Sequence, residues 1–231
     1  YYDNENSSFS KVIKRMTEDN KVSGFQYHNS YYSISDPVRL EITKEYLLKD
    51  KILILDRDGT LNRRPPKAQY IKSWNDFIWL PEAIKALKIL SNKGFKFIVI
   101  SNQAGIARKM VSHSEVKSIN KKMRDELMKK SIEILETYYC PHHWDEGCFC
   151  RKPNPGLFFK ASSDHLFRID KTLYIGDDSR DCQAAYNSGC NSIFVGDKDE
   201  LKNLNSKELP ISYHSNLLEA VPDIINFYNK K

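Results

Sequence analysis

The sequence predicts an α/β fold: a doubly wound, Rossmann-like parallel sheet with helices on both faces. Residues 52–55 are four consecutive apolar residues without helical spacing, which is typical of a strand buried on both sides. From Lys51 onwards, similar runs alternate with segments of helical spacing, as they do in parallel sheets. Acids directly follow two of these runs, and ligands bind at the carboxyl ends of parallel strands. We therefore expect a functional site at that edge of the sheet.

The elements can be assigned in chain order. Strands are predicted at residues 51–55, 95–100, 136–140, 172–177 and 191–196. A helix with Pro81 in its first turn closes at Gly94, which is the usual arrangement at helix ends. Ser112 and Glu115 form a capping box that opens a helix of about twenty residues. Further helices are predicted at residues 7–15, from Asp36 onwards, and at 155–166, 180–188 and 217–228.

Length and composition limit the classes of function. The 231 residues allow one substantial domain with an appendage. A net charge of +6 suggests anionic ligands, but no basic block is interleaved with aromatic residues, so nucleic acid is not expected as a partner. No apolar stretch approaches the ~20 residues of a membrane span, and no signal peptide is recognisable. Five cysteines, an odd number, favour a metal site in a reducing, cytoplasmic compartment over a disulfide framework.

The polar residues 1–49 are predicted to be an N-terminal extension, and residues 50–231 the α/β domain. Residues 24–41 resemble the closing stretch of sugar-nucleotidyltransferases, in which a strand precedes a helix start that contains proline. The first residue is Tyr1 rather than Met. We therefore expect a piece of a longer or processed chain, and an upstream nucleotidyltransferase domain is one candidate for the rest.

Carboxylates and a hydroxyl follow three of the predicted strands. They are, in chain order, Asp56 and Asp58, then Ser101, then Asp177 and Asp178. Neighbouring carboxylates repel unless a cation or a shared proton relieves them, and a hard cation such as Mg²⁺ prefers oxygen ligands. This pattern favours an aspartate nucleophile and an acid/base beside a metal, with Lys152 adding positive charge. For any single one of these residues, an ordinary acidic turn or helix cap is the alternative.

Four motifs, in this order and spacing, resemble the haloacid dehalogenase-like phosphatases. They are DRDGTLN (56–62), SNQAGIAR (101–108), RKPNPG (151–156) and GDDSRD (176–181). Within that superfamily the resemblance is to the D-glycero-D-manno-heptose 1,7-bisphosphate phosphatase and histidinol-phosphate phosphatase family, over residues 50–230. Loops, helices and a cysteine cluster fill the intervals between the motifs. The implied fold is therefore capless, with an open site shaped by loops 62–76 and 103–111 and by the cysteine-rich loop.

The resemblance implies a role for each matching residue. Asp56 would attack phosphorus to form an aspartyl-phosphate, and Asp58 would protonate the leaving alcohol and then deprotonate water. Mg²⁺ would be held by Asp56, the backbone carbonyl of Asp58, and Asp177. Ser101 and Lys152 would bind phosphoryl oxygens, because the phosphoryl group needs cations and oriented donors around it. The other substrate-binding candidates are Asn102, Gln103, Arg108, Arg151 and Asp178.

The segment 140–150 predicts a zinc site. Its possible ligands are Cys140, His142, His143, Cys148 and Cys150. Three thiols and one imidazole close a tetrahedral Zn²⁺ shell, which leaves no position for water and makes the zinc structural. Either histidine could serve, and the family pattern C-x-H…C-x-C favours His142 over His143. Such a zinc would pin the loop that leads into Lys152; chance clustering of buried cysteines is the alternative.

The function implied by the resemblance is Mg²⁺-dependent hydrolysis of a small phosphorylated metabolite, namely D-glycero-D-manno-heptose 1,7-bisphosphate to its 1-phosphate. Basic residues that could meet the second phosphate are Arg63, Arg64, Lys67, Arg108 and Lys109. Lys109 and Asp178 depart from the commoner heptose pattern, in which glycine and a basic residue are usual. The alternatives are histidinol-phosphate phosphatase, a nucleic-acid 3′-phosphatase with similar motifs, and a zinc-stabilised interaction module without catalysis.

Overall fold

A computed structural model describes residues 8–19, 21–22, 34–48 and 50–230. The chain divides into two compact units, residues 1–43 and 44–231. The predicted early helices are present as α1 (Phe9–Glu18) and α2 (Pro37–Leu48). Most of the segment that resembles nucleotidyltransferases, residues 24–33, lies outside the described residues, so that resemblance stays a prediction. In the part of the chain that is described, no helix has the length and apolar character needed to cross a bilayer.

The sheet has six parallel strands, which confirms the predicted fold class. They are β1 (Lys51–Leu55), β2 (Phe95–Asn102), β3 (Ile134–Cys140), β4 (Leu173–Gly176), β5 (Asn191–Val195) and β6 (Ser212–His214). Their order is β3-β2-β1-β4-β5-β6. In register, Leu53 of β1 lies beside Phe97 on one side and Leu173 on the other. The strand order reverses between β1 and β4, and such a switch point is where open α/β sheets bind ligands.

Helices cover both faces of the sheet. They are α3 (Pro81–Ser91), α4 (His113–Met128) and α7 (Leu217–Asn229) on one face, and α5 (Gly156–His165) and α6 (Ser179–Ser188) on the other. Leu53 and Leu55 belong to the first core, and Ile52 and Ile54 to the second. Because alternate residues of β1 point to opposite cores, the strand has to be apolar throughout.

Helix α4 begins at the predicted capping box but has 16 residues, fewer than the predicted length of about twenty. Ser131 adopts a left-handed φ of 57°, and the N–H of Ile132 returns to the carbonyl of Leu127 at 3.0 Å. This turn satisfies carbonyl groups at the helix end and stops the helix. Between the strand ends, the described residues contain only loops, 3₁₀ turns and helices of the sheet layers, so the fold is capless as predicted.

A tyrosine on α7 forms hydrogen bonds to both central strands, β1 and β4. The buried Tyr228 hydroxyl donates to the carbonyl of Ile52 in β1 and accepts from the N–H of Leu173 in β4 at 3.1 Å. Its ring also meets Phe95 edge-on, with ring centroids 4.9 Å apart. These contacts hold β1 and β4 side by side at the end of the sheet opposite the predicted site.

Candidate active site

A buried lysine joins the groups at the carboxyl ends of the central strands. The Nζ of Lys152 donates to Asp56 Oδ1 at 2.6 Å and to Asp181 Oδ1 at 2.7 Å. The hydroxyl of Tyr174 at 2.7 Å and the carbonyl of Ile100 at 3.2 Å are further acceptors around the same Nζ, so its three N–H groups are shared among four oxygens. Asp56 and Lys152 are 96 positions apart in the chain, so the sheet brings them into contact as the sequence predicts.

The Asp56–Lys152 pair is held in its ionised form. Burial raises the pKa of Asp56 to about 6, against the lowering effect of Lys152. Burial alone would lower the pKa of Lys152, but the charges of Asp181 and Asp56 outweigh it and raise that pKa. An ammonium in direct contact with two carboxylates favours the charged forms of all three groups. Asp56 is thus an anion at neutral pH, as a nucleophile must be.

Three carboxylates form a group that fits a hard cation. Asp56, Asp177 and Asp181 each place one oxygen within 4.8 Å of the others. Asp177 Oδ1 is buried without a hydrogen-bond partner, and burial together with Asp56 raises the pKa of Asp177 to about 8. A Cβ on Gly59, whose φ is +105°, would lie 1.7 Å from Asp177 Oδ2, so glycine is required there. An oxygen-seeking cation would satisfy the orphaned oxygen and relieve the repulsion, so these residues fit Mg²⁺.

Two arginines surround the acids that follow β4. The Arg64 guanidinium lies 2.8 Å from Asp177 Oδ2 and 3.3 Å from Asp178 Oδ2. Arg180 lies 2.7 Å from Asp178 Oδ2, and its backbone N–H donates to Asp178 Oδ1 at 3.0 Å. Burial would raise the pKa of Asp178, but Arg180 and Arg64 hold it well below its usual range. Asp178 therefore holds the guanidinium groups of Arg64 and Arg180 beside the cleft, and its predicted contact with substrate stays a prediction.

The Asp58 carboxylate accepts four hydrogen bonds. Arg57 donates from Nε to Oδ1 at 3.1 Å and from Nη2 to Oδ2 at 2.8 Å. The side-chain amides of Asn62 and Gln103 donate at 3.0 and 2.9 Å. Burial would raise the pKa of Asp58, but the charge and hydrogen bonds of Arg57 outweigh it and hold the pKa below its usual value. The structure thus brings the predicted Gln103 to the predicted acid/base.

Residues at the carboxyl end of β2 line and support the lysine loop. Ser101 is buried, with its Oγ 3.4 Å from the Gln103 amide. The Asn102 amide donates to the backbone carbonyl of Lys152 at 3.1 Å, and its Oδ1 accepts the Lys152 N–H at 3.0 Å. Asn102 therefore fixes the backbone of the lysine loop, although the sequence suggests it as a substrate contact.

A cleft of ≈ 210 Å³ opens onto these groups, and its lining includes Asp56, Asp58, Arg64, Lys67, Lys152 and Arg180. Two predicted substrate residues lie outside it. Arg108 donates to the Tyr70 hydroxyl at 3.1 Å and lies 5.7 Å from the ring centroids of Tyr70 and Trp144. Arg151 lines a neighbouring recess and donates to the carbonyl of His142 at 3.4 Å. Both arginines thus connect loops around the cleft.

The cysteine cluster is assembled as predicted. The thiol sulfurs are 3.3 to 3.6 Å apart, and His142 Nδ1 lies 3.1 Å from the Cys150 sulfur. Ligands at about 2.3 Å around one tetrahedral Zn²⁺ have similar separations, so the geometry is consistent with zinc. His143 instead faces Asp145, with Nδ1 3.1 Å from Oδ2. His142 is therefore the imidazole of the cluster, and Cys182 and Cys190 are buried elsewhere.

Sequence reasoning missed several groups of this site. Asp181 carried a signal, because it is the third acid of GDDSRD and lies four positions after Asp177. Tyr174 gave none, since a tyrosine in a buried strand is typical of a core. A larger cavity of ≈ 510 Å³ lies between α4 and β3, and its lining includes Lys117, Lys121 and Arg124. The aspartates that follow β1 and β4 do not line it, and neither does Lys152. The smaller cleft is therefore the candidate active site.

Comparison with known proteins agrees with this geometry. A sequence profile described as "Polynucleotide kinase 3 phosphatase" matches residues 51–208. The D-glycero-alpha-D-manno-heptose-1,7-bisphosphate 7-phosphatase of Photorhabdus laumondii is 32% identical over 154 residues, covering 64% of this chain and 82% of the relative. The bifunctional histidine biosynthesis protein HisB of Campylobacter jejuni is 33% identical over 150 residues, covering 65% of this chain and 43% of the relative.

A solved structure gives the same result. The crystal structure of D,D-heptose 1,7-bisphosphate phosphatase from B. bronchiseptica, complexed with magnesium and phosphate, superposes with a TM-score of 0.69 at 28% identity, covering 76% of this chain and 98% of that one. The profile match, the sequence similarity and the fold agree: the chain belongs to the haloacid dehalogenase-like D-glycero-D-manno-heptose-1,7-bisphosphate 7-phosphatase family and is a phosphatase.

Proposed function

We propose that the protein hydrolyses a sugar phosphate monoester through an aspartyl-phosphate on Asp56. One observation carries this proposal: Asp56 stands at the end of β1 in direct contact with the buried ammonium of Lys152, and both line the cleft. A phosphate monoester is a dianion, so an anionic nucleophile can approach it only where positive charge offsets the repulsion. Lys152 supplies that charge at the nucleophile itself.

The reaction proceeds in two displacements at phosphorus. In the first, a carboxylate oxygen of Asp56 bonds to phosphorus while the bond to the leaving alcohol breaks, and Asp58, which enters this step protonated, gives the alcohol its proton. In the second, Asp58 takes a proton from water, whose oxygen bonds to phosphorus as the bond to Asp56 breaks. The products are the alcohol and inorganic phosphate, and both aspartates return to their starting forms. One residue serves both half-reactions because the proton that it gives is regained.

Asp56 and Asp177, with the backbone carbonyl of Asp58, would hold Mg²⁺. When bound, the ion supplies positive charge to the phosphoryl oxygens and to the nucleophile. Two observations support this assignment: the orphaned Oδ1 of Asp177, and the magnesium named in the B. bronchiseptica structure. The cluster of Cys140, His142, Cys148 and Cys150 would hold a structural Zn²⁺.

The proposed substrate is D-glycero-D-manno-heptose 1,7-bisphosphate, which would lose its 7-phosphate and leave the 1-phosphate. The names of the similar phosphatases support this choice. So does the basic rim, because Arg64, Lys67 and Arg180 all line the cleft where a second phosphate would lie. Histidinol phosphate is the second candidate, on the strength of the similarity to HisB.

A panel of substrates tests the proposal. Phosphate release would be measured for the heptose bisphosphate, histidinol phosphate and a 3′-phosphorylated oligonucleotide, each with and without Mg²⁺. We expect the highest kcat/KM for the heptose bisphosphate and a loss of about a thousandfold or more in Asp56→Asn. Asp164→Asn, a change at the surface, should keep wild-type activity. Undiminished release by Asp56→Asn would remove the assigned nucleophile. A higher rate on the oligonucleotide, weakened steeply by salt, would favour the 3′-phosphatase.

We also propose that residues 50–231 are the catalytic domain and residues 1–49 an extension that takes no part in the chemistry. The profile match, which begins at residue 51, and the division of the chain between residues 43 and 44 support this boundary. A protein that starts at residue 50 should keep the full kcat/KM; a large loss would assign residues 1–49 a part in the site.

A further inference from the structure

Arg57 stands between the two aspartates of the catalytic loop and has a side chain that is hidden from solvent. It is among the largest fully buried side chains of the described residues, with a relative exposure of 0%. A buried guanidinium is costly unless it is paired and fully hydrogen-bonded. A residue that only packed the loop could be apolar, so the charge at this position calls for a specific partner.

That partner is Asp58, which Arg57 grips at two points. Nε and Nη2 donate to the two different oxygens of the carboxylate, at 3.1 and 2.8 Å. A planar guanidinium that meets both oxygens fixes the plane of the carboxylate as well as its position. Only 1% of the Arg57 side chain is exposed, against 21% for Asp58. The arginine therefore lies behind the carboxylate, and the open side of the carboxylate faces the cleft.

Helix α4 holds the arginine from the far side. Among the residues that α4 buries, Asn120 is the polar exception, beside Val116, Ile119, Met123 and Leu127. Its Oδ1 accepts a hydrogen bond from Nη1 of Arg57 at 3.0 Å. A buried amide on an apolar helix face is destabilising without such a bond. The third nitrogen of the guanidinium is thus fixed by a helix that carries none of the proposed catalytic groups.

Of the other two donors to Asp58, Gln103 lines the cleft and Asn62 does not. An ionised carboxylate has about four acceptor sites, and here Arg57, Asn62 and Gln103 fill four of them. To protonate a leaving alcohol, Asp58 must carry a proton on one oxygen, and one of these donors has to withdraw to make room for it. Gln103 lines the cleft, and its amide is also 3.4 Å from Ser101 Oγ, which offers it a second partner. Gln103 is therefore the donor that can give way, while Arg57 stays in place.

We propose that Arg57, held by Asn120, is a positioning residue that keeps the Asp58 carboxylate turned towards the leaving-group oxygen. The proposal rests on the proposed role of Asp58 as the acid that protonates that oxygen. Loss of this positioning should affect substrates differently according to their leaving group. Misplacing the acid slows the release of an alcohol, which needs a proton, but has little effect on nitrophenolate, which leaves without one.

The test compares two leaving groups in two variants. Arg57→Met removes the charge, and Asn120→Leu removes the support from α4 with a residue that suits the apolar face of the helix. The substrates are p-nitrophenyl phosphate and the alkyl monoester of the panel above that is hydrolysed fastest. Ser118→Leu, an exposed change on the same helix, is the matched control. We expect kcat on the alkyl monoester to fall about 10- to 100-fold, with less than about a threefold change on p-nitrophenyl phosphate.

Equal losses on both substrates, or none, would overturn the proposal, since a merely structural residue would not distinguish leaving groups. Arg57→Lys, which keeps the charge but not the two-point grip, should lie between wild type and Arg57→Met. If Arg57→Met does not fold, Asn120→Leu decides alone; if neither folds, the pair serves the fold and the proposal is wrong. Asp58→Asn tests the acid role separately from the positioning role of Arg57. If Asp58→Asn does not slow the alkyl monoester selectively, Asp58 is not the acid. If only Asp58→Asn does so, and the Arg57 and Asn120 variants do not, Asp58 is the acid but Arg57 does not position it.

Discussion

Replacing Lys152 with Met should impair catalysis and stability together. The substitution keeps an unbranched side chain of similar length but removes the ammonium that contacts Asp56 and Asp181 at 2.6 and 2.7 Å. The side chains of the two aspartates are 9% and 3% exposed, so water cannot replace the lost charge. Two buried carboxylates would then face each other without a counter-ion.

The size of both effects follows from these contacts. Removing one partner of a buried ion pair costs about 3–5 kcal/mol, because the other charge stays behind uncompensated. Removing a donor aimed at the reacting group costs about 2.7–4 kcal/mol in the transition state, or about 10² to 10³ in kcat. The loss of stability should also grow with pH. Burial already raises the pKa of Asp56, and without Lys152 nothing opposes it; a carboxyl whose folded pKa is raised destabilises the fold as pH rises.

Urea unfolding at pH 5 and pH 8, together with phosphate release, would measure both effects. Lys160→Met is the matched control, because Lys160 forms an exposed pair with Asp164 at 2.9 Å. Such a surface pair contributes about 0–1 kcal/mol to stability, so this variant should unfold in urea and release phosphate like the wild type. If Lys152→Met kept activity within about threefold of wild type, or unfolded like Lys160→Met, the charge assignment would be wrong.

Cys148→Ser should lower both the bound zinc and the melting temperature, and slow catalysis by loosening the loop before Lys152; unchanged zinc content and melting would contradict a structural zinc. Gly59→Ala should abolish Mg²⁺-dependent phosphate release, because its Cβ would meet the Asp177 carboxylate, whereas Gly94→Ala, with nothing within 4 Å, should keep it. In the presence of a chelator, the free energy of unfolding should fall as pH rises towards about 8, because the raised pKa of Asp177 makes its ionisation unfavourable in the folded state. Mg²⁺ should therefore stabilise the protein more at pH 8 than at pH 5. Urea midpoints that Mg²⁺ raises equally at both pH values would refute this.

Most of the fold could be predicted from the sequence because its central strands are buried on both sides. β1, β2, β4 and β5 are apolar runs with turns or acids at their ends. A proline at the first position marks the start of α3, and a capping box marks the start of α4. β6 (Ser212–His214) was not predicted. It has three residues at the edge of the sheet, and its Tyr213 is half exposed, so it has neither the length nor the apolar run of a buried strand.

The site was predictable where chemistry is concentrated at strand ends and not where it depends on partners across the sheet. Asp56 and Lys152 stand in distinctive motifs, and their contact follows from the topology. Tyr174 and Asn120 are different, because each looks like an ordinary residue of a strand or helix. Their importance comes from Lys152 and Arg57, which face them from 22 and 63 positions away in the chain. Nothing in the local sequence announces such a partner.

The central position of β1 also has a consequence for synthesis on the ribosome. Asp56 leaves the ribosome before its counter-ion, Lys152, which follows 96 residues later. Asp181, the second carboxylate that binds that ammonium, follows a further 29 residues on. Until β4 has emerged, one edge of β1 has no neighbouring strand to pair with. A nascent or prematurely terminated chain would thus carry Asp56 without the counter-ion that the proposed mechanism requires. On that mechanism, phosphate release can begin only once the chain has been translated beyond Asp181.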